Sequence, residues 1–173
     1  SASIGRGMSE PSSASHSPVS GETTPARGRW AAFGLLLLLI VFHLVNNWLW
    51  RQSNVVTFGL DRMFHQVTSL AYYDILRDGL TLRTLFAALT WSDYYPPLVH
   101  LTAAPFYAAF GISMDVASMS NSFYLVLFLL SIYGLGERLA GSWVGLLSAF
   151  IVSMFPIVFS MSRYLYIDFA LTA

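Results

Sequence analysis

Three aspartates stand beside apolar segments, where their chemistry would be unusual. Asp61 precedes an amphipathic stretch, Asp93 introduces a Tyr-Tyr-Pro-Pro-Leu motif, and Asp168 closes a long apolar run. A carboxylate at a membrane edge is costly to place and is usually retained for function. It can act as a general base or help to hold a cation. This ordered trio is the strongest functional signal in the chain.

Basic residues accompany the outer two aspartates. Arg62 and His65 follow Asp61, and Arg163 precedes Asp168. Arginine binds phosphate through bidentate, charge-assisted hydrogen bonds, and histidine can meet a phosphate or a metal. Each residue also has a structural interpretation: Asp61 as a helix N-cap, Arg163 with Asp168 as a local ion pair, and His65 as a solvated side chain. The sequence leaves both sets of interpretations open.

The composition indicates an integral membrane protein. The chain is 55% hydrophobic and 16% aromatic, but only 10% charged, whereas soluble domains carry roughly 25% charged residues. It has no Cys, which excludes disulfides and thiolate metal sites, and all nine of its cations are Arg. The net charge is zero, so there is no electrostatic footprint for nucleic acid. No cluster of ligands in the sequence fixes a metal, although a divalent ion is left open.

Apolar runs predict an all-α, polytopic helical bundle. We predict a disordered cytoplasmic tail at residues 1–29, because that stretch is rich in Ser, Pro and Gly and cannot bury a core. Three spans follow, at residues 30–50, 119–136 and 143–159. Arginines just before the first span place the N-terminus in the cytoplasm. The connecting segments 51–118 and 160–168 are then external loops.

The first external loop is expected to contain helices that do not cross the membrane. Leu60–Leu76 carries apolar residues on one side and polar ones on the other, as in an interfacial helix. Pro97–Phe110 is apolar but short and contains Pro105, so we treat it as lying in the interface. This choice places Asp61 and Asp168 on the same external side.

Taken together, these motifs resemble the GT-C superfamily of polytopic glycosyltransferases. Ser162–Asp168 is similar to the Ser-Arg-Tyr-x-Leu-x-Asp stretch of protein O-mannosyltransferases. Asp61 with its amphipathic helix, and Tyr95-Pro-Pro-Leu, resemble the bacterial aminoarabinose and lipopolysaccharide-core sugar transferases. The chain departs from the family in having Arg62 where Asp-Glu is frequent, and Ala117–Asn121 where many members carry an Arg. It reads as the N-terminal fragment of a longer protein.

The resemblance implies a fold, a reaction and a set of roles. The implied reaction moves a sugar from a polyprenyl-phosphate donor to a lipid, glycan or protein acceptor, at the extracytoplasmic face of a bacterial plasma membrane. Asp61 would be the catalytic base and Asp168 a second acidic residue. The implied substrate-binding residues are Arg62, His65, Tyr95 and Arg163. The alternatives are a transporter or channel subunit, or a flippase or assembly partner in envelope glycan synthesis.

Overall fold

The computed structural model describes residues 26–53, 60–91 and 95–173, and the regular structure of these ranges is α-helical. The predicted tail up to residue 25 and Asp93 lie outside the described residues. The helices are α1 (Ala26–Ser53), α2 (Leu60–Leu76), α3 (Leu82–Thr90), α4 (Pro97–Leu101), α5 (Ala104–Phe110), α6 (Met114–Ala140), α7 (Ser142–Ser153), α8 (Pro156–Met161) and α9 (Ile167–Thr172).

Two of these helices, α1 and α6, are long and apolar enough to cross a membrane. Helix α1 has 28 residues and includes residues 26–29, which the sequence had assigned to the tail. Helix α6 has 27 residues and extends the predicted span 119–136 at both ends. At about 1.5 Å per residue, each is roughly 40 Å long, more than the hydrocarbon core of a bilayer.

The third predicted span, 143–159, is not one continuous helix. Helix α7 ends at Ser153, and α8 begins at Pro156 after an extended Phe155. Proline has no backbone N–H and its ring clashes with the preceding turn, so the helix is interrupted there. The sequence prediction of this span did not include the break at Pro156, and the crossing of the membrane by residues 143–159 stays a prediction.

Helices α1 and α6 run antiparallel, and side-chain contacts define the two ends of the bundle. Arg29 pairs with Glu137 at 2.8 Å, and Arg51 donates to the Ser122 hydroxyl at 3.2 Å. We call these the Glu137 end and the Arg51 end. The α7–α8 segment also connects the two ends, because Ser142 donates to Glu137 at 3.1 Å while Asn47, near Arg51, donates to Ser162 at 3.0 Å.

Glycines allow α6 and α7 to pack closely. Gly141 has φ +95°, a conformation that glycine adopts without steric cost, and it joins the two helices. An added Cβ at Gly145 would lie 2.5 Å from the Tyr133 carbonyl oxygen, and one at Gly136 would lie 2.7 Å from Gly145 Cα. The backbones therefore approach at a distance that only glycine permits.

Helix α2 has the predicted bounds, and its polar side faces the protein. His65, Thr68, Ser69 and Tyr72 are buried, whereas Leu60, Met63 and Val67 are exposed. Helix α3 begins with a Thr81–Thr84 capping box and likewise exposes large apolar side chains. Such a distribution suits a helix whose outer face contacts lipid.

The segment 97–110 forms the two short helices α4 and α5, of five and seven residues. Neither is long enough to cross a membrane. These residues therefore form no continuous spanning helix, and their position in the interface stays a prediction.

Candidate functional site

Asp61 lies in the first turn of α2 and remains accessible. Its side chain is 57% exposed, and its Oδ1 lies 3.5 Å from Nε2 of His65, one turn along the helix. Because the helix begins at Leu60, Asp61 is inside the first turn rather than at the N-cap. A negative charge there is still favoured by the helix dipole. The carboxylate therefore faces His65 on one side and is open on the other.

His65 contacts a second buried histidine, His100 of α4. Nδ1 of His65 and Nε2 of His100 are 3.3 Å apart, and the two side chains are 3% and 0% exposed. The interpretation of His65 as a solvated residue is therefore wrong: the polar side of α2 packs against α4. Tyr95 lies edge-on to His65 with ring centroids 5.0 Å apart, and Tyr72 stacks on His100 at 5.8 Å.

Burial determines the charge state of the histidine pair. It lowers the pKa of His100 to about 4, helped by the neighbouring His65 and opposed by the Pro96 backbone carbonyl. Burial also lowers the pKa of His65, while the negative charges of Asp61 and Asp168 act in the opposite direction. Both rings are therefore neutral near pH 7. Asp168, at the start of α9, is close enough to act on the same histidine as Asp61.

Arg62 connects the start of α2 with the segment that follows α8. Its guanidinium carbon lies 3.4 Å from the centroid of the Tyr164 ring, a cation–π contact. Tyr164 directly follows Arg163, and Asp168 comes four residues later. The structure thus brings the two predicted motifs, at 61–65 and 162–168, to one end of the molecule.

Arg163 is held by neutral groups. Its Nε donates to Asn47 Oδ1 at 3.3 Å and its Nη2 donates to Asn46 Oδ1 at 3.2 Å, and the guanidinium lies over the Phe159 ring at 4.1 Å. Within the described residues, no carboxylate lies within ion-pair distance of Arg163. The proposed Arg163–Asp168 ion pair is therefore not formed. Arg163 keeps a positive charge that an anionic ligand could neutralise.

Sequence reasoning missed His100, and it missed the hydrogen bond that Arg163 donates to Asn47. His100 stands in the apolar stretch Leu98–Leu101, where an ionisable residue is rare enough to be noticed. The described residues contain no group of three His, Cys, Asp or Glu side chains suited to a metal ion. A divalent metal thus gains no support from these ranges.

No family model matches the chain, and no curated protein or solved structure matches it either. The case for a function therefore rests on the sequence motifs and on the arrangement of these side chains.

Proposed function

We propose that this chain is part of a polytopic membrane glycosyltransferase of the GT-C type. It would transfer a sugar from a polyprenyl-phosphate donor to a lipid, glycan or protein acceptor at the extracytoplasmic face. One observation carries the proposal. An accessible carboxylate, Asp61, lies at the same end of the bundle as Arg163, whose charge has no carboxylate partner among the described residues.

This pair of groups matches the needs of the reaction. The acceptor oxygen or nitrogen forms a bond to the anomeric carbon while the bond from that carbon to the phosphate oxygen breaks. Asp61 takes the acceptor proton as a general base. Arg163, with Arg62 nearby, stabilises the negative charge that develops on the leaving phosphate. Asp168 supplies a second negative charge beside His65.

The surface of α2 and α3 supports a site at the membrane boundary. Their exposed apolar residues would rest in the lipid, while the polar side of α2 faces inward. A lipid-linked donor and a water-soluble acceptor meet at such a boundary. Arginines at the start of α1 favour a cytoplasmic N-terminus, which puts the Arg51 end outside, as in a bacterial plasma membrane.

A transporter is the main rival, and the position of the charges argues against it. Transporters hold ion-binding residues near the middle of the bilayer, at breaks in spanning helices. Here Asp61 and Asp168 lie outside the long helices, on α2 and α9, and Arg163 lies beside Asn46 and Asn47 towards the Arg51 end of α1.

The test uses the full-length protein in proteoliposomes, supplied with a panel of radiolabelled polyprenyl-phosphate hexoses and pentoses. We expect one donor to be consumed in the presence of an envelope lipid or peptide acceptor, with release of polyprenyl phosphate. Arg163→Gln should raise the KM for the donor. Arg77→Gln, whose arginine pairs with Asp74 on the exposed side of α2, serves as the matched control. If every donor remains intact while ions or solutes cross the membrane, the transporter is the better assignment.

A further inference from the structure

The second histidine of the site, His100, has no role in the mechanism given so far. It is fully buried, although burial of an ionisable ring is unfavourable without a compensating contact. Its Nε2 lies 3.3 Å from Nδ1 of His65, and His65 Nε2 lies 3.5 Å from Oδ1 of Asp61. The three side chains therefore form a continuous chain of polar contacts that leads from a buried ring to an exposed carboxylate.

We propose that His65 and His100 form a proton relay behind Asp61, in which His65 receives the proton that Asp61 removes from the acceptor and His100 positions His65 for this step. The inference rests on the proposed glycosyltransferase function. His100 touches no substrate in this scheme, so it is a positioning residue that acts through His65.

The relay requires one polarity along the three side chains, with a hydrogen on Nδ1 of His100. The Pro96 backbone carbonyl acts on the pKa of His100 in the direction of protonation, although Nδ1 of His100 has no hydrogen-bond partner among the described residues. Because Nε2 of His100 is engaged with His65, Nδ1 is the nitrogen that the carbonyl can stabilise. A hydrogen on Nδ1 leaves a lone pair on His100 Nε2, which accepts from His65 Nδ1–H. The remaining nitrogen, His65 Nε2, then faces Asp61 with a lone pair, a contact that is unfavourable while Asp61 is ionised and becomes a hydrogen bond once Asp61 takes up the acceptor proton.

With the hydrogens in these positions, His65 can accept one proton without a change of tautomer in either histidine. When the acceptor attacks, its proton moves to Asp61 and then to His65 Nε2, while the electron pair of the broken anomeric bond leaves with the phosphate. The resulting imidazolium donates through Nε2 to Asp61 and through Nδ1 to His100. Product departure returns the proton to solvent through the exposed Asp61.

Several other groups surround the pair. On α2 these are Asp61 and Tyr72, with Arg62 over Tyr164. Tyr95 contacts both rings, Asp168 on α9 acts on His65 through its charge, and Tyr107 of α5 packs on the neighbouring Tyr73. The two carboxylates favour a proton on His65, whereas burial opposes it. Burial has the larger effect, so His65 favours its neutral form before the proton arrives.

The first experiment tests the hydrogen positions in the relay and does not depend on an activity assay. Full-length protein with ¹⁵N-labelled histidine is placed in lipid nanodiscs, and the imidazole nitrogen signals are followed with pH. We expect His100 to carry its hydrogen on Nδ1 and to show a coupling through the hydrogen bond between its Nε2 and His65 Nδ1. His65→Gln and His100→Gln assign the signals. His43→Gln, which removes a buried histidine of α1 in edge-on contact with Phe159, should leave both signals unchanged. A hydrogen on His100 Nε2, or no coupling, would overturn the relay.

The second experiment uses transfer activity. His100→Gln should lower kcat by roughly tenfold, within the range that positioned acid–base groups contribute, leave the donor KM unchanged, and alter the acidic side of the pH–rate profile. Arg77→Gln, on the exposed side of α2, should resemble wild type. A folded His100→Gln enzyme with wild-type kcat and pH profile would overturn the proposal. If the wild-type protein shows the nitrogen coupling but transfers no sugar, the proposed function fails and the pair is only structural.

Discussion

Replacing Asp61 with asparagine separates a catalytic carboxylate from a structural one. Asparagine keeps the size of the side chain and one acceptor oxygen but cannot take up a proton at physiological pH. Asp61 lies in the first turn of α2 and is more than half exposed. The change therefore alters few packing contacts.

The structural cost is small by comparison with the catalytic one. A carboxylate in the first turn of an exposed helix contributes roughly 0.3–1 kcal/mol through the helix dipole. Loss of a positioned general base slows a reaction by about 10²–10⁴-fold, or roughly 3–5 kcal/mol of barrier. The two effects differ enough to be told apart in one experiment.

The assay measures turnover and donor binding for Asp61→Asn in proteoliposomes. We expect normal expression and insertion, retained binding of the polyprenyl-phosphate donor, and a large loss of kcat. The matched control is Asp74→Asn, because Asp74 also lies on α2 and is exposed, but it pairs with Arg77 away from the site. Wild-type turnover by Asp61→Asn would refute the assignment and make Asp168 the next candidate base.

Three further predictions test the fold and its electrostatics. Gly145→Ala should destabilise the protein by about 1–3 kcal/mol through overpacking, whereas Gly134→Ala, with open space around its Cβ position, should not; denaturant titration in micelles compares them. Folded His100 resists protonation down to about pH 4, and the unfolded ring binds a proton below about pH 6.5. The free energy of unfolding should therefore be independent of His100 protonation above that pH. It should fall by up to roughly 3 kcal/mol as the pH drops to 4, and by less in His100→Gln. Finally, Asp168→Cys should react with an impermeant thiol reagent from outside and Arg138→Cys only after the membrane is opened; reaction of both from one side would contradict the proposed topology.

The sequence predicts a helix correctly where the local pattern of apolar and polar residues determines it. Apolar runs gave α1 and α6, and the one-sided pattern of Leu60–Leu76 gave α2 with its bounds. Pro105 and the short length of its segment argued against a long helix there, and the structure has two short helices. Proline also interrupts the third apolar segment, at Pro156. The sequence prediction of that span did not include this break.

The site was only partly predictable, because its connections are between residues distant in the chain. Composition and spacing indicated Asp61 and Asp168 as a pair, and the electrostatics of His65 place both near it. Nothing local could show that the polar side of α2 is its buried side. An amphipathic helix at a water–protein boundary normally buries its apolar side. At a lipid boundary the preference can reverse, since the hydrocarbon accepts the apolar side and the protein supplies polar partners.

That reversal explains why His65 and His100 meet. Once Leu60, Met63 and Val67 face outward, the polar residues of α2 must be satisfied inside the protein. His100 on α4 supplies such a partner 35 positions away. Burial keeps both rings neutral, and a neutral histidine beside a carboxylate can receive a proton. In the proposed membrane setting, the outward-facing apolar side of α2 and the basic chemistry proposed for Asp61 therefore have a common physical origin.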